Sequence, residues 1–411
     1  MGDGMTEVDI ERMKSTFWKN KERGIGIVEQ EKLDTVLAEL SLKAFKNADE
    51  KNPVSAFRFA SWMDARDLIP FFKNGSYVLF NIVKDRLAPK IKFVAAMCMG
   101  KFETVMDAYR EMMSEGYWRV IGFSKPPNYE LLREFVYERI GINRLRDFFD
   151  AIIIELVRQA NQIGLHIGTR TGEDSTDTTS LKFDREAVYS GYYKHRGYKL
   201  DVVHDMDDRT IPLDYLPMRL TDSEGQNLIP SQERLRSKGI VETERKVDGG
   251  YVKSLENIAK SEMSGIHLIY KKQKNRTICK RGTEENIKKQ YQKYHNDENF
   301  RANATILFML DFLHKKGEFK SVGAYFRNKR LKYISEHPEL AKKETGERSN
   351  KTEGFFSVTK NSTILDSRPR KRGWKEFIRR CGFSMLAHVF VAFIRIQHGI
   401  RTNLGCVTYL T

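Results

Sequence analysis

The chain has 411 residues, 40% hydrophobic and 31% charged, and its 71 Lys and Arg against 55 Asp and Glu give a formal charge of +16. That apolar fraction closes a real core, which excludes a wholly disordered chain, and the length suits about two to three domains. The roughly 18 consecutive apolar residues of a membrane span do not occur; the best run, Phe383 to Ile394, is interrupted by Ser384 and His388 and reads as a core helix.

Met1 to Arg12 carries Asp3, Glu7, Asp9 and Glu11 and no apolar stretch, so no secretory signal is expected there and a cytosolic protein is. From Met1 to about Lys90 the pattern is mostly helical, clearest over Val28 to Ala44, where Val28, Leu33, Val36, Leu37 and Leu40 recur near helical spacing. A second helical stretch, Lys92 to Gly116, ends before Ser124-Lys125-Pro126-Pro127-Asn128, which punctuates the entry to helices at Tyr129 to Ile140 and Leu145 to Ile163. After Gly164 the period changes. Leu165 to Glu173, Tyr192 to His204, Ile211 to Leu220 and Ile240 to Val247 read as strands, with a hairpin at Asp205 to Thr210. Helices are expected over Leu228 to Lys238 and Ser254 to Met263, and a fifth strand over Gly265 to Tyr270. The order is three strands, helix, strand, helix, strand, a mixed α/β layer. Lys271 to Ala341 then reads as helical and polar, and Trp374 to Gln397 as a buried helix.

Cys98, Cys279, Cys381 and Cys406 are too dispersed for a zinc-ligand pair and are expected as free thiols. The histidines form no His/Asp/Ser set at recognisable spacing, with His388 expected as a core residue, and no phosphate-binding Gly-rich loop is present, so a nucleotide cofactor is not expected. The positive balance favours a polyanionic partner.

Three acids stand out by position. Asp174 is expected to end the first strand, Asp248 ends the fourth and is followed by Gly249-Gly250, and Glu353 sits on a segment with apolar residues opposite. Carboxylates gathered at a sheet edge repel one another unless hard divalent cations fill the space between them, and two such ions polarise a phosphodiester. Beside them, Tyr192-Tyr193-Lys194-His195-Arg196-Gly197-Tyr198-Lys199 interleaves rings and cations, a mixture that stacks bases and neutralises phosphates. Lys360 lies about two helical turns beyond Glu353. Two further basic clusters are Lys271 to Arg281 and Arg368, Arg370, Lys371 and Arg372.

These residues resemble the DDE transposases of bacterial and archaeal insertion sequences, whose core is ribonuclease-H-like. The matched stretches are Pro126 to Arg133, Asp174-Ser175-Thr176, Gly197-Tyr198-Lys199-Leu200, Asp248-Gly249-Gly250-Tyr251, and Glu353 with Lys360 after six intervening residues. In the best-known subgroup a Tyr, two residues, an Arg and three residues lead up to the Glu; here four residues separate Arg348 from Glu353, and Gly346 occupies the Tyr position. The resemblance implies a ribonuclease-H-like five-stranded mixed sheet flanked by helices at 164–270 plus 342–411, a helical lead at 126–163, a helical insertion at 271–341 and a DNA-binding helical region at 1–125. It implies Asp174, Asp248 and Glu353 as catalytic ligands of two Mg²⁺ ions, with Mn²⁺ as a substitute. It also implies DNA contacts by Lys194, His195, Arg196, Lys199, Tyr251, Arg348, Lys360, Arg370, Lys371 and Arg372. The implied activity is cleavage at the ends of a mobile element and strand transfer into target DNA, by a homodimer in a synaptic complex in a prokaryotic cytoplasm, with no membrane partner. A nuclease of the same fold that does not join strands, and a non-catalytic DNA-binding derivative, are the alternatives.

Overall fold

The computed structural model describes residues 54–73, 84–207, 211–273, 276–294, 305–366, 373–408 and 410. The helix expected over Val28 to Ala44 and the cluster Arg368, Arg370, Lys371 and Arg372 lie outside the described residues.

Helices precede the sheet: α1 (Ala56–Ser61), α2 (Lys84–Met99), α3 (Val105–Ser114), α4 (Tyr129–Glu134) and α5 (Gly141–Gln162). Asn128 starts α4 by accepting the Glu130 N–H on its side-chain oxygen, as a residue at that position should. Helix α4 runs into a wider π turn, Phe135–Ile140, which stops at Gly141 with φ +55°. Then follow β1 (Arg170–Thr179), β2 (Val188–Ser190), β3 (His195–Asp205), β4 (Pro212–Arg219), α6 (Leu228–Ser237), β5 (Glu244–Val247), α7 (Leu255–Met263) and β6 (His267–Ile269). The remainder is helical: α8 (Glu284–Tyr294), α9 (Ile306–Lys315), α10 (Phe319–Glu336), α11 (Pro338–Ser362) and α12 (Trp374–Gln397).

The result is a mixed sheet of six strands, one more than expected, because the short β2 pairs with the start of β3. Beyond that start β3 pairs with β4, and along its other side with β1, both antiparallel. Strand β1 is parallel to β5, and β5 to β6. The spatial order of the long path is therefore β4-β3-β1-β5-β6, with α6 and α7 as the crossovers that parallel neighbours require.

Strand β1 departs most from expectation. It begins at Arg170 and runs on to Thr179, so Asp174 lies mid-strand, opposite Val202, rather than at a strand end. Its sequence has no aliphatic residue, and its polar side chains are satisfied by partners instead. Glu173 and Arg245 form a fully buried ion pair at 2.8 Å, with Glu242 completing the set on Arg245 at 2.6 Å and Ser231 donating to Glu173 at 3.1 Å.

One apolar cluster packs on the sheet and a second lies among the helices beyond it. On the face toward α6 and α7, Leu228, Val247, Tyr251, Ile258 and Leu268 form one cluster. A second joins Ala259 of α7 to Ile287, Met309, Leu310 and Val322, so the inserted helices α8 to α10 share a core with the sheet layer. Gly323 has no room for a side chain, since a Cβ there would run into the Leu255 carbonyl. Helix α12 packs against α5, α2 and β4. By length and composition it could cross a membrane, yet 94% of its apolar window is buried within the protein. His388 on it is a core residue as expected: Nδ1 meets the Gly405 carbonyl at 2.8 Å and Nε2 the Thr359 hydroxyl at 3.1 Å, and burial lowers the imidazole to about 4.

Candidate functional site

The parallel register of β1 and β5 sets Glu173 beside Val247, so the next residue on each, Asp174 and Asp248, are neighbours on the opposite face of the sheet from the Glu173–Arg245 pair. Helix α11 covers that face. Its Glu347 takes hydrogen bonds from Lys246 and Lys351 and faces Arg170 at 3.1 Å. Its Thr352 meets His204 Nε2 at 3.0 Å, and Phe355 stacks on the same ring. Burial holds His204 down at about 4.

Between these contacts Arg348 reaches the two acids. Nη1 lies 2.6 Å from Asp174 Oδ2, and Nη2 4.0 Å from Asp248 Oδ1. Burial raises the Asp174 carboxyl above its ordinary value, against the pull of Arg348 and of the Ser175 N–H at 2.9 Å.

The acids open onto a cavity of about 940 Å³. Lys199, Lys253, Lys271 and Lys272 line it, as do Tyr192 and Tyr193 from the β2–β3 turn and Glu224 from the turn after β4. Ser175 Oγ donates to Glu224 Oε1 at 2.6 Å, and Lys199 Nζ meets the same oxygen at 3.2 Å and the Asp222 carbonyl at 2.7 Å. Burial and the neighbouring Glu224 and Asp177 push the Tyr193 phenol up to about 12. The site thus joins an acid pair to a rim of cations and rings, a combination suited to a polyanion with flat groups.

Several expected residues lie elsewhere. Glu353 is exposed on α11 and does not line the cavity. The reason is helical phase: five residues beyond Arg348, it is rotated about 140° from the side chain that touches the acids, whereas a four-residue step would return to that face. Thr352 holds the four-residue position and is committed to His204. Lys360 shares the Glu353 side of α11 and is half-buried. Tyr251 is a core residue rather than a DNA contact: it is fully buried and its hydroxyl donates to Asp201. Gly249 and Gly250 line the cavity, where the side chains of Gln273 and Glu224 approach them closely. His195 pairs with Asp177 at 2.7 Å, Arg196 donates to the Ala187 carbonyl at 2.8 Å, and Lys194 is exposed at the turn. Of the basic cluster Lys271 to Arg281, Lys271 and Lys272 line the cavity. Sequence reasoning missed Lys253, whose signal was the short loop after Asp248-Gly249-Gly250, and Glu224, for which no sequence signal existed.

In this arrangement a pair of hard divalent ions would have to displace Arg348. Such ions need several oxygen ligands each, and here a guanidinium lies against both carboxylates. Among the described residues no group of three or more His, Cys, Asp or Glu side chains is arranged to hold a metal ion.

No protein-family model matches the chain, and no curated protein matches it. Among solved structures it is similar to a piggyBac transposase synaptic complex with hairpin DNA determined by cryo-EM, at 11% identity over 87% of this chain and 81% of that one, with a TM-score of 0.26. At that score the likeness carries no argument, and the reading of this chain stands on the geometry above.

Proposed function

We propose that this chain is a ribonuclease-H-like, transposase-type protein that handles DNA ends at the cavity holding Asp174 and Asp248, cutting at the ends of a mobile element and joining them to a target. The observation that carries the proposal is the register-fixed neighbourhood of the two acids, on the central β1 and at the end of its parallel neighbour β5, at the wall of a lysine-lined cavity. The strand order β4-β3-β1-β5-β6, with one antiparallel side and one parallel side, supports it as the order of a ribonuclease-H-like sheet. Handling two ends together calls for two copies of the chain.

A second reading, a DNA-binding derivative that does not cleave, is favoured by a specific observation: Arg348 takes the charge-compensating place between the acids while Glu353 stands apart. One experiment separates them. The full chain is incubated with the DNA that borders its own gene, with Mg²⁺ or Mn²⁺, and products are followed for cleavage and strand transfer. Cleavage that disappears in Asp174→Ala and Asp248→Ala supports the enzyme. DNA binding without any product supports the derivative, and cleavage that survives both substitutions refutes the assignment of the site.

A further inference from the structure

We infer that Tyr192 stacks on an unpaired nucleobase at the cavity, so that DNA with unpaired bases is the preferred ligand over intact duplex; this rests on the DNA reading above. Tyr192 is 85% exposed, more than any other large hydrophobic side chain among the described residues. The fold makes no use of the ring for its own core, yet holds it in place. The turn from β2 to β3 is closed by the Lys194 N–H on the Ser190 carbonyl at 2.8 Å and the Tyr193 N–H on Ser190 Oγ at 3.4 Å, with Lys194 at φ +60°. A non-glycine residue in that left-handed region marks a tight, specified turn. Tyr193 then braces Tyr192 edge-on, with ring centroids 4.9 Å apart and planes at 90°. The edge-on contact leaves a π-face of Tyr192 open.

Both rings line the cavity that carries Asp174 and Asp248, where Lys253, Lys271 and Lys272 supply positive charge. Cations and an open ring on one surface match a polynucleotide, whose backbone meets the lysines while a base meets the ring. Inside a duplex, neighbouring base pairs cover both faces of every base. A base becomes available to Tyr192 only where pairing is interrupted, and the cavity volume, about 940 Å³, lies in the upper part of the range for ligand sites.

The test uses the full chain, without added metal, and fluorescence anisotropy on a short duplex and on the same duplex carrying an unpaired bulge. The wild type is expected to bind the bulged DNA roughly 5- to 100-fold more tightly, the span of one base–ring stack. Tyr192→Ala is expected to lose that preference and Tyr192→Trp to keep it, the ratio of the two affinities being the readout in each. A 2-aminopurine placed in the bulge is expected to be quenched by the wild type and not by Tyr192→Ala. Equal affinity of the wild type for the two DNAs, or a preference that persists in Tyr192→Ala, overturns the inference while leaving the DNA reading intact. No binding to either DNA overturns both.

Discussion

Replacing Arg348 with Met keeps most of the side-chain length and removes the guanidinium that faces both Asp174 and Asp248. Two unit charges about 4 Å apart interact by ~4 kcal/mol at an effective dielectric near 20, and stripping one partner from a fully buried pair costs roughly 3–5 kcal/mol. The Asp174 side chain is 26% exposed and keeps the Ser175 N–H, so water and that donor recover part of the penalty and the expected loss is about 2 kcal/mol at neutral pH. The sign with pH follows from burial, which already holds the Asp174 carboxyl high; without Arg348 it rises further. The folded protein then retains a proton that the unfolded chain, titrating at about 3.9, has released. The penalty is complete at neutral pH and fades as pH falls toward that value. Divalent cations give an independent readout. With both carboxylates freed, Mn²⁺ at about a hundred times its dissociation constant stabilises the variant by ~2.7 kcal/mol, and stabilises the wild type less, because the guanidinium competes. Urea unfolding followed by tryptophan fluorescence, with and without Mn²⁺, measures both quantities. Unchanged stability in Arg348→Met, or an equal Mn²⁺ response in the two proteins, refutes the counter-ion reasoning.

Two further expectations concern neighbouring charges. Burial raises the Glu347 carboxyl, but hydrogen bonds from Lys246 and Lys351 overcome it and bring the group down to about 2. Its stabilisation is therefore present above the ordinary Glu value of about 4.3 and lost as pH falls toward 2, so Glu347→Gln is expected to be about 1–3 kcal/mol less stable at neutral pH, with the gap to wild type closing in acid; urea unfolding across that range checks it. Lys271→Ala and Lys272→Ala are each expected to weaken DNA binding without regard to sequence and to lower the slope of log affinity against log salt by about 1. A slope unchanged in a salt titration of binding would remove that lysine from the phosphate contacts.

The sheet was legible where turn punctuation and β-branched runs coincide. Strands β3 and β4 and helices α6 and α7 fall within a few residues of their expected limits, because Gly239, Gly265 and the polar hairpin after Asp205 break the pattern sharply. Strand β1 was misplaced for a physical reason. Hydrophobic periodicity finds strands that bury aliphatic side chains, whereas Arg170 to Thr179 buries polar groups whose partners are far away in sequence: Arg245 for Glu173, Arg348 for Asp174 and Glu242 for the Thr171 hydroxyl. The same limitation governs the site. Asp248 was placed correctly just after its strand, and Asp174 was singled out as a strand end but lies mid-strand; the β1–β5 register is what makes the two neighbours. Glu353 was chosen for its distance to Lys360, and a spacing to a second residue on the same helix says nothing about which way both of them face. The extra residue after Arg348 was visible in the sequence, and it is what turns the acid away. Glu224 and Lys199 meet only because the turn after β4 folds back over β1, which no local pattern announces.

Helix α12 imposes an order on synthesis. The elements it packs against most, α2, α5 and β4, precede it in the chain, and the contacts are intimate: Phe390 lies against Phe148, and Gly382 leaves no space for a methyl group beside Leu145 and Tyr215. While the ribosome is still translating, those earlier surfaces stand open with nothing of their own to close them, the condition in which nascent chains stick to one another. A helix apolar enough to enter a bilayer then emerges and has to find its slot before a lipid or a neighbouring polysome does. Truncation upstream of Gln397 is accordingly expected to leave those surfaces uncovered and to lower the soluble yield, which expression of the shortened chain checks.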